Sequence, residues 1–244
     1  MELHTWIPRR KTTRNFSMEP VSAQELQRIR DFIGTCQPLV PGIRVRAEII
    51  GIDAVRCILP WKTPHYIAVF TEDAPHAWEN VGFLFQQVEL YIQSLGLGTC
   101  WLGMGHLNPR GQQAAPEEDG LQFAIMMAFG RGKGQLLRNS VQEFRRKTMA
   151  EITDREDDRL EPARLAPSSV NSQPWYFVHG EDGAIHAFCA LQGLLKQTML
   201  GRMNRIDMGI ALAHLYLSHP GFRFFTASPP PVKKGYGYIG SFHL

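Results

Sequence analysis

The chain has 244 residues, of which 44% are hydrophobic and 20% are charged, as in a globular protein with a sizeable core. This composition excludes a disordered, collagen-like or disulfide-framework protein. Lys and Arg together (26) exceed Asp and Glu (23) by only three, which argues against a dedicated nucleic-acid-binding protein. The sequence has neither the apolar run of a signal peptide nor the roughly 20 apolar residues of a membrane span. We therefore expect a cytoplasmic protein with no nucleic-acid or membrane partner.

Two helices are predicted in the first part of the chain. Ser22-x-x-Glu25 is a capping box, which predicts a helix over residues 23–33. A longer helix with one apolar face is predicted from Asp73 to a stop at Gly96.

Strands are predicted along the whole chain. Residues 43–50 alternate apolar and polar side chains, which is typical of a half-buried strand. Continuous apolar runs predict two buried strands, at 66–70 and 121–129. Shorter strands are predicted near 176–178, 185–189 and 222–226.

The second part of the chain contains two further helix patterns and a proline-rich segment. A second capping box, Ser140-x-x-Glu143, predicts a helix that runs through residues 145–148, and another helix is predicted near 204–218. Pro229–Pro231 indicates an extended tail. Because strands and helices follow no regular βαβ rhythm, we predict an α+β fold with mixed or antiparallel sheets flanked by helices.

The sequence resembles itself at a displacement of 136 residues, the separation of Arg9 from Arg145. Arg9-Arg10-Lys11-Thr12 recurs as Arg145-Arg146-Lys147-Thr148, and Gln37-Pro38 recurs as Gln173-Pro174. Chance similarity of two basic segments is the alternative explanation.

A second match, at a displacement of 127, sets Asn80-Val81-Gly82 against Asp207-Met208-Gly209. Both matches run in the same order along the chain, which favours an internal duplication. We predict two similar halves, at residues 1–140 and 141–244, that together form one compact unit.

Three segments contain residues suited to ligand binding. The first is Arg10-x-Thr12-x-Arg14, in which cationic and hydroxyl side chains alternate. Arginine forks and a hydroxyl group suit phosphate oxygens, because charge-assisted hydrogen bonds are the strong ones. The alternative is a solvated basic segment.

The second segment runs from Ala166 to Trp175 and places small hydroxyl and amide residues between two prolines. Such residues build a turn whose outward-facing groups could hydrogen-bond the edge of a heterocycle. The alternative is a plain surface loop.

The third segment is Gly96–Gly103, whose glycines allow the backbone to approach a flat ligand while Trp101 and Leu102 offer apolar cover. The alternative is a helix stop followed by a short strand. Cys100 has no natural histidine partner for nucleophilic catalysis, and the four cysteines contain no C-x-x-C, so no metal site is indicated. No catalytic triad, carboxylate pair or G-x-G-x-x-G is evident.

Together the three segments resemble the flavin-binding signature of the nitroreductase family. Its members carry an arginine motif, a P-S-x-x-N-x-Q-P-W motif and a helix ending in L-G-L-G-x-x-W-L-G. In ordinary members the second motif follows closely after the first, whereas here that place holds only Gln37-Pro38 and the intact motif lies at 167–175. The chain is therefore similar to the single-chain "putative TM nitroreductase" group.

Family members bind FMN between two subunits, so the resemblance implies one FMN site between the two halves of this chain. The first half keeps the arginine and L-G-L-G motifs, and the second half keeps P-S-S-V-N. The position in the second half that corresponds to Arg14 holds Ala150, so this arginine is missing from the second copy. Arg146, which corresponds to Arg10, is expected not to bind FMN.

The resemblance also implies a set of cofactor-binding residues. Arg10, Arg138 and Thr12 would hold the phosphate. Arg14 would face the flavin N1/O2 edge, and the backbone of 101–103 would face N5 and O4. The complete set is Arg10, Thr12, Arg14, Cys100, Trp101, Leu102, Gly103, Arg138, Pro167, Ser168, Ser169 and Asn171.

The activity implied by the resemblance is hydride transfer from NAD(P)H through FMN to a small electron acceptor, a nitroaromatic or a quinone, in a ping-pong cycle. No side chain is needed as catalytic acid or base, because solvent can supply protons. The protein is expected to be a monomeric pseudo-dimer or a weak homodimer. The alternative is a non-catalytic flavin-binding protein or a degenerate protein of the same fold.

Overall fold

The computed structural model of the chain describes residues 2–118, 120–191, 197–228 and 230–244. In the described residues up to Gly130 there are three helices, α1 (Ala23–Ile33), α2 (Ala77–Ser94) and α3 (Pro109–Ala114). The strands of this part are β1 (Val45–Gly51), β2 (Val55–Cys57), β3 (His65–Glu72), β4 (Gly98–Leu102), β5 (Gly105–Leu107) and β6 (Leu121–Gly130).

The second part of the described chain is built from shorter elements around one long helix. Its helices are α4 (Met149–Ile152), α5 (Glu161–Arg164) and α6 (Gln197–Ser218). Its strands are β7 (Trp175–His179), β8 (Ile185–Ala190), β9 (Arg223–Phe225) and β10 (Tyr236–His243).

Two antiparallel sheets share one topology. The first has the order β1-β3-β6-β4 and the second has the order β7-β8-β10-β9. If the four strands of each sheet are numbered in chain order, their spatial order in both sheets is first, second, fourth, third. In each, the long helix (α2 or α6) connects the second strand to the third. Strands β2 and β5 pair separately.

Helices α2 and α6 pack on each other at two glycines. A Cβ atom on Gly82 would collide with the backbone carbonyl of Ile206, and one on Gly209 would collide with the carbonyl of Glu79. The two contacts are reciprocal, because Ile206 and Gly209 each lie 127 residues after Glu79 and Gly82. This is the displacement of the second sequence match. The duplication and its boundary at 140/141 stay predictions. The shared sheet topology and the reciprocal helix contact are consistent with a duplication.

The first sheet has a buried core on both faces. On one face, Ile67 and Met127 belong to the main core, together with Val88 of α2. On the other face, Ala128 and Cys100 belong to a second cluster. Met127 and Ala128, which are neighbours in β6, therefore point to opposite sides of the sheet, as the alternation of a strand requires.

Most elements predicted in the first half are confirmed. The Ser22 hydroxyl accepts from the N–H of Glu25 at 3.2 Å and the Glu25 carboxylate accepts from the N–H of Ser22 at 3.0 Å, which completes the predicted capping box of α1. Helix α2 begins at Ala77, later than predicted, because the chain turns through a left-handed residue (φ 65°) at His76. It ends before Gly96, whose φ of +77° favours glycine.

The helix predicted through 145–148 is wrong. Only a short 3-10 turn, Val141–Glu143, forms there, and the side chain of Ser140 makes no cap hydrogen bond. The Glu143 carboxylate accepts from the N–H of Asn139 at 2.9 Å instead, so the reciprocal pair of a capping box does not form.

A capping box forms a little later in the chain. The Thr148 N–H donates to the Glu151 carboxylate at 2.8 Å at the start of α4. The second arginine segment is therefore extended up to Thr148, which frees its side chains for contacts outside a helix.

The extended tail predicted from Pro229–Pro231 is wrong for residues 236–243, which form strand β10. Pro229 lies outside the described residues, and residues 230–235 lead into β10, which lies between β8 and β9 in the second sheet. The ring of Phe224 occupies the space that a side chain at Gly240 would need. Glycines in β10 hide the strand pattern from the sequence while making room for neighbouring rings. Within the described part of the chain, no helix is both long and apolar enough to cross a bilayer.

The glycine contact between α2 and α6 gives a stability prediction. Gly209→Ala should lower the free energy of unfolding by about 1–3 kcal/mol, because the added methyl group must push two helix backbones apart. Gly201→Ala on the same helix is the matched control, since no described atom lies within 4 Å of its added Cβ. The control should be neutral or stabilising by about 0.5–1 kcal/mol. Urea denaturation measures both, and equal effects would contradict the packing described.

Candidate functional site

The N-terminal arginine segment runs beside β4. The N–H of Thr13 donates to the carbonyl of Thr99 at 2.8 Å, and Thr12 forms a parallel bridge with Thr99. Through these contacts Thr12 and Thr13 lie alongside β4, at the edge of the first sheet. Two of the three predicted segments, the arginine motif and the glycine-rich segment, are thereby brought together.

Arg10 points into the protein and forms a buried ion pair. Its Nη2 donates to Oε1 of Glu89 at 3.0 Å and to the hydroxyl of Thr12 at 3.1 Å. The Arg10 and Glu89 side chains are 1% and 0% exposed. Glu89 also accepts from the hydroxyl of Thr99 at 3.1 Å. Glu89 therefore fixes both Arg10 and β4 from the middle of α2.

A buried polar chain continues from Glu89 to the second half. Nε2 of Gln86 donates to Glu89 at 2.5 Å and lies 3.1 Å from Nε2 of His214 on α6. Nδ1 of His214 donates to the carbonyl of Pro162 at 2.8 Å, so Nε2 is the acceptor. Burial lowers the pKa of His214 to about 3, which keeps this ring neutral at physiological pH.

Arg138 lies against the backbone of the arginine motif. Its N–H donates to the carbonyl of Arg9 at 2.7 Å, and its guanidinium donates to the carbonyl of Arg10. The guanidinium also stacks on the ring of Phe144, 4.0 Å from the ring centroid. Burial and the nearby charge of Arg10 lower the pKa of Arg138.

Arg146 approaches the same ring from the second copy of the motif. Its guanidinium lies 5.4 Å from the centroid of Phe144, and its Nη1 donates to Oδ1 of Asn171 at 2.7 Å. Burial, followed by the charges of Arg10 and Arg138, lowers the pKa of Arg146 to about 9. Arg146 was expected not to bind FMN, yet it bonds to one predicted site residue, Asn171, and shares the Phe144 ring with another, Arg138.

Arg10, Arg138 and Arg146 form what we call the arginine cluster. Among the ion pairs of the described residues, only Arg10 has a carboxylate partner, Glu89, and neither of the other two has one. The Nε atoms of Arg10 and Arg146 are buried without a hydrogen-bond partner in the described structure. A partly buried excess of positive charge with unused donors is suited to bind an anion.

The P-S-S-V-N segment forms a strained turn anchored on α6. The N–H of Ser169 donates to both carboxylate oxygens of Asp207, at 3.1 and 3.0 Å. Val170 and Asn171 both have positive φ (46° and 58°), which is unusual for a β-branched residue and marks local strain. The hydroxyl of Ser168 accepts from a backbone N–H within the turn. Pro167 is buried.

Met203 of α6 joins this turn to the glycine-rich segment. Its sulfur lies 3.5 Å from the hydroxyl of Ser169, and its methyl carbon would lie 2.7 Å from a Cβ atom on Gly103. Gly103 belongs to the first half and Ser169 to the second. The structure therefore brings the second predicted segment, which contains this turn, to the glycine-rich segment through Met203 and to the arginine cluster through Arg146.

The remaining predicted residues differ in what they can offer a ligand. Cys100 and Leu102 are buried in the second core cluster, and burial raises the pKa of the Cys100 thiol to about 12. Only their backbone can face a ligand. Trp101 is partly exposed, and its Nε1 is buried without a described partner. Arg14 is exposed, with its guanidinium 5.0 Å from the ring centroid of Trp61.

Several residues of the site were missed by the sequence analysis. Arg146 and Asp207 both lay in the repeated segments, so the repeat itself was the signal. Gln86, Glu89 and Gln93 form a polar stripe at helical spacing on an apolar helix, which indicates a buried polar network. Phe144 and Met203 carried no signal in the sequence.

A cavity of about 1020 Å³, which we call the inter-half cavity, opens beside Gly103. Strands β2, β5 and β6 of the first half line it, and residues 202, 203 and 206 of α6 line it from the second half. Because Gly103 and Met203 belong both to the cavity and to the cross-half contact, the cavity is continuous with the candidate site.

Known proteins resemble this chain along most of its length. A sequence family described as "Putative TM nitroreductase" matches residues 2–219. The crystal structure of a "putative nitroreductase" from Thermotoga maritima MSB8 is 18% identical, with a TM-score of 0.63, and the alignment covers 98% of this chain and 94% of that one. The predicted α+β, nitroreductase-like fold is therefore confirmed. No curated protein matches this chain in sequence.

Two further solved structures are similar to part of the chain. A nitroreductase with bound FMN from Desulfitobacterium hafniense DCB-2 is 15% identical, covering 55% of this chain and 90% of its own, with a TM-score of 0.45. An FMN-dependent nitroreductase from Clostridium difficile R20291 is 14% identical, covering 60% and 99%, with a TM-score of 0.47.

The buried carboxyl group under the turn gives a prediction on pH dependence. Burial raises the pKa of Asp207 from 3.8 to about 8. The folded chain then holds this proton more tightly than the unfolded chain, so the contribution of Asp207 to stability falls as pH rises from about 4 to about 8, by an order of a few kcal/mol. Asp207→Asn should remove this slope, since the counterpart Asn80 holds backbone N–H groups of the first half with a neutral amide.

Denaturation of the two proteins at several pH values between 4 and 8 measures the effect. Asp73→Asn is the control, because Asp73 is exposed and should leave the slope unchanged. Parallel curves for the wild-type protein and Asp207→Asn would contradict the raised pKa.

Proposed function

This chain belongs to the nitroreductase family described as "Putative TM nitroreductase", and we propose that it is an FMN-dependent oxidoreductase with one FMN site between its halves. The observation that carries the proposal is the arginine cluster. Three arginines drawn from both halves lie together with one carboxylate, beside a turn and a glycine that also come from different halves.

The arginine cluster fits the phosphate group of FMN. A phosphate carries up to two negative charges and can accept several hydrogen bonds, which would offset the mutual repulsion of Arg10, Arg138 and Arg146. Arg138 and Arg146 are the direct phosphate ligands in this proposal, because Arg10 already forms an ion pair with Glu89. Thr12, whose hydroxyl bonds to Arg10, lies at the edge of the same cluster.

The turn and the glycine-rich segment fit a flat ring. Gly103 has no side chain to obstruct a planar ligand, and the Nε1 of Trp101 is an unused donor nearby in sequence. Ser168, Ser169 and Asn171 would contact the ring from the second half, and the strain of their turn favours a fixed arrangement of donors. Arg14 would supply positive charge at the pyrimidine edge, as the family resemblance implies.

FMN, when bound, supplies hydride chemistry between NAD(P)H and a small electron acceptor, such as a nitroaromatic compound or a quinone. In the net reaction NAD(P)H and one proton reduce a quinone to its hydroquinone and leave NAD(P)⁺. The residues of this chain bind and orient the reactants, and no side chain is assigned as a catalytic acid or base. The buried thiol of Cys100 takes no part.

We further propose that one chain suffices for the site. In a homodimer the cross-half contacts would depend on association, whereas in a single chain they form intramolecularly. The protein would then be a monomer, or at most a weak homodimer, and the two halves would derive from a duplication.

Removing one arginine should weaken the binding of FMN but not that of riboflavin, which lacks the phosphate. Arg146→Gln should lower the affinity for FMN by roughly 10- to 150-fold, because a charge-assisted hydrogen bond contributes about 1.5–3 kcal/mol. Arg138→Gln should have a similar effect. Arg145→Gln removes the same charge from the exposed neighbouring residue and is the matched control.

Quenching of flavin fluorescence during titration measures these affinities. Equal losses for FMN and riboflavin would show that Arg146 acts through Asn171 and the turn, and would contradict its assignment to the phosphate. Unchanged FMN binding in both variants would contradict the phosphate site as a whole.

The activity itself is tested on the FMN-loaded protein. Oxidation of NADH or NADPH should depend on added quinone or nitroarene and should disappear when FMN is removed. FMN bound without any oxidation would favour the alternative, a non-catalytic flavin-binding protein.

A further inference from the structure

The inter-half cavity is lined by more arginine than carboxylate side chains. Arg56 on β2 and Arg202 on α6 line it, and Glu117 is the only carboxylate among the described lining residues. Glu117 is already engaged, because its Oε1 accepts from the N–H of Phe123 at 2.8 Å. Neither guanidinium group forms a hydrogen bond or an ion pair within the part of the chain that the structure describes. Two solvent-exposed guanidinium groups without a described carboxylate partner therefore line the cavity, together with one carboxylate that already accepts a hydrogen bond.

The two arginines come from different halves. Arg56 pairs with His106 in the β2–β5 ladder of the first half. Arg202 lies on α6, with its guanidinium 4.9 Å from the ring centroid of Trp78. Stacking on an aromatic ring limits the freedom of the side chain and leaves its N–H groups available.

The rest of the cavity wall is apolar. Phe123 lies near the imidazole of His106, with ring centroids 6.4 Å apart. Met104, Met203 and Ile206 complete the wall toward Gly103. Aromatic rings pack well on phenylalanine and methionine side chains. A volume of about 1020 Å³ has room for a ligand of two fused rings.

We propose that the inter-half cavity binds planar aromatic anions, such as arene carboxylates, with Arg56 and Arg202 holding the anionic group. The assignment of such a ligand as the electron acceptor rests on the proposed function, because hydride transfer would require the ligand to contact the flavin ring that the proposed function assigns beside Gly103, a residue of the cavity wall. Binding of the anion itself does not require that function.

The test compares 2-naphthoate with 2-naphthamide, which has the same shape without the charge. Isothermal titration calorimetry on the FMN-loaded protein should show that naphthoate binds at least roughly ten-fold more tightly. Arg56→Gln and Arg202→Gln should each reduce naphthoate affinity about five- to ten-fold and leave naphthamide unchanged. Arg110→Gln, an exposed arginine on α3 that does not line the cavity, is the charge-matched control.

Equal affinities for the two naphthalene probes would overturn the proposal. A loss of naphthoate binding in Arg110→Gln as large as in the cavity variants would also overturn it, since the effect would then come from net charge. A parallel assay compares KM for 4-nitrobenzoate and 4-nitrobenzamide with NAD(P)H. Selective binding of the anion without turnover would support this cavity and contradict the proposed function. Turnover with equal KM values would support the function and contradict this inference.

Discussion

The close packing of α2 against α6 is the contact on which the candidate site depends. Gly82 and Gly209 let the two helix backbones meet without an intervening side chain. At this distance the buried polar chain from Glu89 through Gln86 can reach His214 in the other half. The same contact brings Met203 within reach of both Gly103 and Ser169. Without it, the residues that the two halves contribute would have no fixed relation to each other.

Electrostatics provides the second constraint. Burial of a guanidinium group is costly unless the charge is paired, and the arginine cluster has one carboxylate for three arginines. The lowered pKa of Arg146, caused by burial and by Arg10 and Arg138, expresses this imbalance. An anionic ligand would relieve it and would be bound tightly for the same reason. Glu89 offsets part of this cost by pairing with Arg10 and fixing its position. Arg138 and Arg146 have no carboxylate partner in the described structure and stay available for an anion.

The sequence was sufficient for elements with local signals and insufficient for contacts between distant residues. The Ser22 capping box and the apolar run of β3 depend on neighbouring residues, and both are confirmed. Ser140-x-x-Glu143 has the same local pattern, yet Glu143 bonds to Asn139 and no helix follows. Strand β10 was missed because its glycines fit rings of other strands. Arg146 was excluded because its hydrogen bond to Asn171, and its position on the Phe144 ring that Arg138 also stacks on, arise only in three dimensions.

Both halves of a single chain are proposed to build one FMN site. A titration of FMN at several protein concentrations, with the oligomeric state followed in parallel, tests it most directly. We expect one FMN per chain, with an affinity that does not change with protein concentration and with the bound form still monomeric. Two equivalent FMN molecules per chain, or binding that occurs only when chains associate, would contradict it.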